Sequence, residues 1–313
     1  MRYYTNVQMV GNDFLVRGYE DGKSFTTREK YNPTLFVPSK KRTKYKTLDG
    51  KYVQSVKPGS VRDCREFYRT HGEVKGFEIF GNNRYIYQYI SDKYPEKEIL
   101  FDINKIKLVT IDIEVKSEKG FPTVQACDEE MLCITLQDYA TKRILTFGVG
   151  AYHHNDKMVK YVQCNDEYDM LQHFITYWSA NPPEVVTGWN CQLYDIAYLA
   201  KRITRVLGEK SCKKLSPWGL VTHEEIYLQG RAHTVYDIGG VTVLDYLDLY
   251  RKFTYKAQES YKLDYIGEVE LGKKKLDHSE FDTFKDFYTK AWNKFVDYNI
   301  QDVRLVDALE EKM

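Results

Sequence analysis

Along the first forty residues, apolar and polar side chains alternate in short runs separated by turn dipeptides, the pattern of extended strands. Tyr3 to Val10 ends at Gly11-Asn12, Phe14 to Tyr19 at Asp21-Gly22, and Phe25 to Pro38 is interrupted at Asn32-Pro33, which predicts a twisted β-meander. Gly59-Ser60 then opens a short helix, with Ser60 as N-cap, Cys64, Phe67 and Tyr68 on the inner face and Gly72 as the stop. Phe77 to Phe80 and Tyr85 to Ile90 read as further strands. A small mixed α/β domain is therefore expected up to residue 106.

The rhythm changes at Ile106. In Lys107 to Val115 (K-L-V-T-I-D-I-E-V) the odd positions Val109, Ile111, Ile113 and Val115 are apolar, while Asp112 and Glu114 share the other parity. In a strand both carboxylates leave from one face. Met131 to Leu136 and Arg143 to Gly150 predict two antiparallel strands. Asp166 to Ala180 predicts a helix with Met170, Leu171, Phe174, Ile175 and Trp178 as its apolar stripe, ended by Pro182-Pro183. A short strand at Val185-Val186 leads into Thr187-Gly188-Trp189-Asn190, followed by a helix from Tyr194 to Leu207. The turn-rich stretch from Leu228 to Gly240 reads as a projecting hairpin, Val241 to Tyr246 as a strand, and Lys285 to Lys312 as one closing helix. The second unit, 107–313, is thus α/β (α+β), a mixed sheet flanked by helices.

Composition narrows the chemistry. A chain of 313 residues suits two domains, and 42% hydrophobic with 29% charged residues is a soluble globular balance. The formal net charge of +1 excludes a polycation, so any nucleic-acid surface must be local. Basic runs occur at Ser39 to Lys46 (S-K-K-R-T-K-Y-K), at Arg202 to Lys214 and at Lys273 to Lys275. The first is read as a solvated loop or edge strand in preference to a phosphate-contacting patch. Six cysteines without a C-x-x-C pair or zinc-like histidine spacing predict reduced, buried thiols in an intracellular protein. No signal-peptide core or long apolar span is present, so no membrane is expected.

Each acid has an ordinary explanation by itself: a solvated strand face for Asp112 and Glu114, a helix-dipole partner for Asp195, a surface acid under Tyr298 for Asp302. Brought together, four carboxylates form an oxygen-only donor set that suits Mg²⁺ or Mn²⁺. Two such ions, about 3.5–4 Å apart, clamp a phosphodiester for attack by water, so the reaction implied is hydrolysis.

Three strings carry a resemblance: T-I-D-I-E-V (110–115), T-G-W-N-C-Q-L-Y-D-I-A-Y (187–198) and Y-N-I-Q-D-V (298–303). They resemble, in order, the exonuclease motifs of family B DNA polymerases. V-L-D-Y-L-D-L-Y-R-K-F (243–253) and S-Y-K-L-D-Y-I (260–266) are similar to those of T-even-like bacteriophage replicative polymerases in particular. The resemblance implies an N-terminal domain (1–106) and a DEDDy-type 3′→5′ proofreading domain of ribonuclease H-like fold (107–313). By it, Asp112 is shared by two divalent cations, Glu114 and Asp302 complete the tighter site, and Asp195 holds the second ion largely through water. Tyr298 orients the attacking water, Asn190 lies near the substrate strand, Phe121 stacks on the 3′-terminal base, and the 228–240 hairpin helps part primer from template. The implied partners are a single-stranded DNA 3′ end or primer-template DNA, in the cytoplasm of an infected bacterial cell.

Palm, fingers and thumb motifs are missing from the sequence, as is the segment that completes the N-terminal domain in the family. The chain is therefore expected to be a truncated polymerase or one product of a split gene, with a separate polymerase-domain chain as partner and no polymerase activity of its own. The alternative is a non-catalytic nucleic-acid-binding or assembly module, binding RNA or a polymerase chain through the surface around Lys40 to Lys46.

Overall fold

Turn chemistry and alternation build the first of two units, Met1–Asp102. The computed structural model describes residues 2–95, 98–228 and 230–313. Strands β1 (Arg2–Val10), β2 (Asp13–Glu20) and β3 (Lys23–Lys30) form the expected antiparallel meander, which stops at Lys30, because the stretch up to Pro38 expected to extend it pairs in a separate sheet beyond the Asn32-Pro33 interruption. A second small sheet pairs β4 (Leu35–Pro38) and β5 (Tyr45–Lys46) on either side of β6 (Tyr52–Val56). Helix α1 (Val61–His71) begins at Ser60, whose hydroxyl accepts from the Asp63 N–H while the Asp63 carboxylate accepts from the Ser60 N–H, a reciprocal cap.

Two expected strands are absent here. Tyr85 to Ile90 lies in helix α2 (Tyr85–Lys93). Tyr85 and Tyr89, four residues apart, are both buried against Phe14 and Val16, whereas Tyr87 is exposed, so burial follows the helical period and overrides the alternating appearance. Phe77 to Phe80 makes only an isolated bridge, Phe80 to Phe36.

The second unit, Ile103–Met313, is organised on a six-stranded sheet. In chain order its elements are β7 (Leu108–Val115), β8 (Met131–Asp138), β9 (Ile144–Gly148), β10 (Val159–Gln163), α3 (Glu167–Ala180), β11 (Val185–Gly188), α4 (Asp195–Leu207) and the short α5 (Glu209–Cys212). Then follow β12 (Val221–Leu228), β13 (Arg231–Ile238), β14 (Thr242–Asp245), α6 (Tyr246–Phe253), α7 (Leu263–Leu271), α8 (Phe284–Lys290) and α9 (Trp292–Lys312). The sheet order is β10-β9-β8-β7-β11-β14; β8 runs antiparallel to both neighbours and every other pairing is parallel. This is the ribonuclease H-like arrangement expected from the sequence. The C-terminal ends of β7, β11 and β14 share one edge, the side of an open α/β sheet on which ligands bind.

The sheet is covered on both faces. Ile111, Ile113 and Val115 pack with the stripe of α3 and with Ile196, Leu199 and Ile203 of α4. The other face, carrying Leu132, Cys133 and Ile144, packs against Phe295, Val296, Ile300 and Val303 of α9. Asp112 and Glu114, of the opposite parity to Ile111 and Ile113, therefore point toward α9.

Three further differences from expectation have local causes. Strand β10 was not anticipated; V-K-Y-V-Q is a short edge strand with one paired side. The hairpin is β12 with β13, so Leu228 stands at its tip rather than its start, and Gln229 lies outside the described residues. The first arm, V-T-H-E-E-I-Y-L, is mostly exposed and so lacks an apolar alternation to reveal it. The closing helix is two helices, because Ala291 (φ −136°, ψ 55°) leaves the helical region. That break folds Phe284 and Phe287 back onto Phe295, with ring centroids 5.7 and 5.4 Å away. All six cysteines are free and buried, and among the described residues no helix is long and apolar enough to cross a membrane.

Candidate active site

Alternation along β7 places Asp112 and Glu114 under α9, and the helical repeat of α9 sets Tyr298 one turn before Asp302 on the side facing them. Carboxylate oxygens of Asp112, Glu114 and Asp302 lie within 4.8 Å of one another. Asp195, the first residue of α4, borders the same cavity, and its Oδ1 accepts the Ile113 N–H of β7 at 3.1 Å. It stands outside the three-carboxylate group and is joined to it through the β7 backbone.

The connection from β11 to α4 is held by a buried acid that the sequence reading did not single out. Asp245, at the end of β14, accepts the Asn190 and Leu247 N–H groups on Oδ1 and the Gln192 N–H on Oδ2, each at 3.0 Å. Asn190 takes a left-handed backbone (φ 63°), and a Cβ on the preceding Gly188 would lie 2.5 Å from the Ile111 carbonyl oxygen. The loop is thus pressed onto β7 and pinned from beneath, which fixes where α4 begins.

Lys275 is a second residue that the sequence does not single out, where it stands only as part of the basic run Lys273 to Lys275. Its Nζ donates to Asp302 Oδ2 and lies 3.2 Å from the Tyr298 hydroxyl oxygen and 4.9 Å from the Tyr298 ring centre. Nothing in K-K-K separates this lysine from its neighbours; only the fold buries it. The other oxygen of Asp302 is buried without a hydrogen-bond partner.

Electrostatics follow from burying acids together. Burial, then repulsion from Asp302, Asp195 and Glu114, raises Asp112 well above the ordinary carboxylate range, with Lys275 opposing. Glu114 is raised by burial and by Asp302, and Asp302 by burial, again against Lys275. Asp195 is pushed up to about 7 by burial, partly offset by the Ile113 N–H. For Lys275 burial disfavours the charge, but Asp302, Tyr298 and Asp112 outweigh it and hold the ammonium. Burial also keeps Tyr298 protonated.

An all-oxygen donor set with a buried, unpartnered carboxylate oxygen and raised proton affinities is what a hard divalent cation would satisfy, so the residues present fit such a metal. The site opens on two sides. One cavity of about 440 Å³ is bordered by Phe121, Pro122, Asn190 and Tyr194; the other, about 740 Å³, by Trp189, Lys262, Lys274 and His278. Asp112, Trp189, Lys275, Tyr298 and Asp302 border both. Phe121 is 78% exposed, its ring 5.2 Å from that of Tyr194. All seven residues singled out in the sequence therefore border one cavity.

Comparison with known proteins agrees with the motifs. Residues 82–266 match the family described as DNA polymerase family B, exonuclease domain, a span that contains Asp112, Glu114, Asn190 and Asp195 and ends before Tyr298 and Asp302. The DNA-directed DNA polymerase of Enterobacteria phage T4 is 30% identical over 99% of this chain and 37% of its own length. That of Escherichia phage RB69 is 29% identical over the same shares. The DNA polymerase catalytic subunit of Psittacid herpesvirus 1 is 27% identical over 66% of this chain and 20% of its own. The chain thus spans a little over a third of the length of the phage relatives. It belongs to DNA polymerase family B and carries that family's exonuclease domain.

Proposed function

We propose that this chain is a metal-dependent 3′→5′ exonuclease that removes nucleotides from single-stranded DNA ends, the proofreading portion of a replicative DNA polymerase. The observation that carries the reading is the cluster of Asp112, Glu114 and Asp302, converging from strand and helix beside an open cavity with one buried oxygen unpartnered. A structural ion-pair network would have neutralised these acids with protein cations; here Lys275 answers one of them.

Asp112, Glu114 and Asp302, with Asp195 beside them, would hold two divalent cations, Mg²⁺ or Mn²⁺. The chemistry such ions supply when bound is Lewis-acid activation of water and charge stabilisation at the leaving oxygen. The chain's own groups do the rest. The Tyr298 hydroxyl orients the attacking water, and Lys275 fixes that hydroxyl while favouring the ionised form of Asp302. Phe121 offers a ring face to the terminal base, which any base can use, and Asn190 borders the strand. The larger cavity, with Lys262 and Lys274 along it, suits a phosphate-bearing strand or product.

The proposed substrate is a DNA 3′ end or a primer-template junction. A polymerase-domain chain, and RNA at the exposed Lys40 to Lys46 surface, are secondary proposals; the proposed working compartment is the cytoplasm of an infected bacterial cell.

Digestion of a 5′-labelled single-stranded oligonucleotide tests the reading. A ladder shortening from the 3′ end with Mg²⁺, and lost in EDTA and in the Asp112→Ala, Glu114→Ala double variant, is expected. Cleavage that survives the double variant would refute it.

A further inference from the structure

We infer that Asn299 is a positioning residue for Asp112, aimed by a buried relay of two threonine hydroxyls that runs across the sheet. The inference rests on the exonuclease reading of the carboxylate site. Asn299 follows Tyr298 on α9 and is fully buried. Its Nδ2 donates to Asp112 Oδ2 at 2.5 Å. Its Oδ1 accepts from Thr135 Oγ1 on β8, and that hydroxyl lies 2.8 Å from Thr146 Oγ1 on β9.

Asp112, Thr135 and Thr146 are direct neighbours across β7, β8 and β9, so the sheet register itself sets them in a row beneath Asn299. Thr135 and Thr146 are both wholly buried.

Proton counting fixes the direction of the chain. A hydroxyl has one proton to give. If Thr135 donates to Asn299, the bond between the threonines must run from Thr146 to Thr135. The amide oxygen of Asn299 is then occupied, and its NH₂ is left for Asp112. The reverse orientation would set an amide oxygen against the ionised carboxylate that a bound cation requires, two acceptors with no proton between them. The relay therefore selects one face of the amide and presents a neutral donor to Asp112.

Neutrality matters at this position. A lysine or arginine there would favour the ionised acid but compete with a cation for it. A carboxamide holds one oxygen, favours ionisation and adds no charge. Asp112 Oδ2 is thereby fixed, and the orientation of the whole carboxylate with it. Asp302 is served differently, by Lys275.

The test is Mn²⁺ binding to the full chain without DNA, followed by electron paramagnetic resonance of free Mn²⁺, alongside thermal melts. Asn299→Leu should weaken Mn²⁺ binding about 10- to 100-fold, the usual cost of losing a partner behind a metal ligand. Thr135→Val, which removes only the relay, should weaken it less but in the same direction, and Thr135→Ser, which keeps the hydroxyl, should restore most of that loss. A merely structural role would lower the melting temperature and leave Mn²⁺ affinity unchanged, and that result would overturn the inference. Should Asn299→Leu fail to fold, an unchanged affinity in Thr135→Val would still overturn it. A wild type that binds Mn²⁺ yet degrades no single-stranded DNA would refute the exonuclease reading while leaving the Asn299 comparison decisive; one that binds no Mn²⁺ overturns both.

Discussion

Lys275 answers two demands at once: it offsets the repulsion among buried acids and it fixes the Tyr298 hydroxyl. Replacing it with Met should lower hydrolysis roughly 10- to 100-fold. Because Asp112, Glu114 and Asp302 would then be raised further, the acid limb of the pH–rate profile should move to higher pH; a shift to lower pH would contradict the assignment. Tyr298→Phe should slow hydrolysis without abolishing it, since a hydroxyl that orients water is not a ligand, and complete loss in a steady-state assay would give Tyr298 a different role. Asp195 allows a linkage test. Its pKa rises from about 3.9 in an unfolded chain to about 7 in the metal-free fold. Between those values the folded chain keeps a proton that the unfolded chain has released. Its contribution to stability is therefore complete below about pH 4 and lost as pH rises through about 7. Melts in EDTA, compared with Asp195→Asn, should show the wild type losing ground to the variant over that window, and saturating Mg²⁺ should restore stability above it. Asp112 with Glu114, and Tyr298 with Asp302, were legible as pairs because strand parity and helical spacing bear directly on which side chains meet; Asp195, and the meeting of the pairs, came from the resemblance of the three motifs. Lys275, Asn299 and Asp245 were not, because their importance comes from burial and from partners far along the chain.

Elements with one buried face were readable and those decided by tertiary packing were not. The meander, α1, α3 and α4 follow from turn dipeptides, a cap and clean stripes. The segment Y-I-Y-Q-Y-I satisfies a strand pattern and a helix pattern equally; only the placement of Phe14 and Val16 decides that Tyr85 and Tyr89 are the buried pair. The division at Ala291 likewise depends on an aromatic cluster contributed by α8 and α9 together. At β11 the argument can be tested directly. Gly188→Ala would drive a methyl group against the Ile111 carbonyl and the Cys191 side chain. We expect a loss of about 1–3 kcal/mol in denaturant melts, with weaker hydrolysis because the loop to Asp195 shifts. A stable, fully active Gly188→Ala chain would show that the close approach is not needed.

For the molecule as a whole, a net charge of +1 leaves the proposed DNA binding to a few local lysines, and the acid cluster repels phosphate unless cations are bound. Anisotropy titrations with a labelled oligonucleotide should therefore give a shallow salt dependence and weaker binding in EDTA than in Mg²⁺; a slope that implies many phosphate contacts would point to an extended basic surface. The hydrogen bond from Asn299 to Asp112 joins residues 187 positions apart. The three clustered carboxylates proposed as metal ligands are thus split between β7 and the last helix of the unit, with Asp195 at the start of α4 beside them. During synthesis, β7 to β14 emerge and can pair while the acids of β7 still face water, with neither Asp302 nor the asparagine donor available. In the proposed nuclease, competence is therefore expected late and abruptly, because the site stays incomplete until α9, which carries Asp302 and Asn299, closes over the sheet.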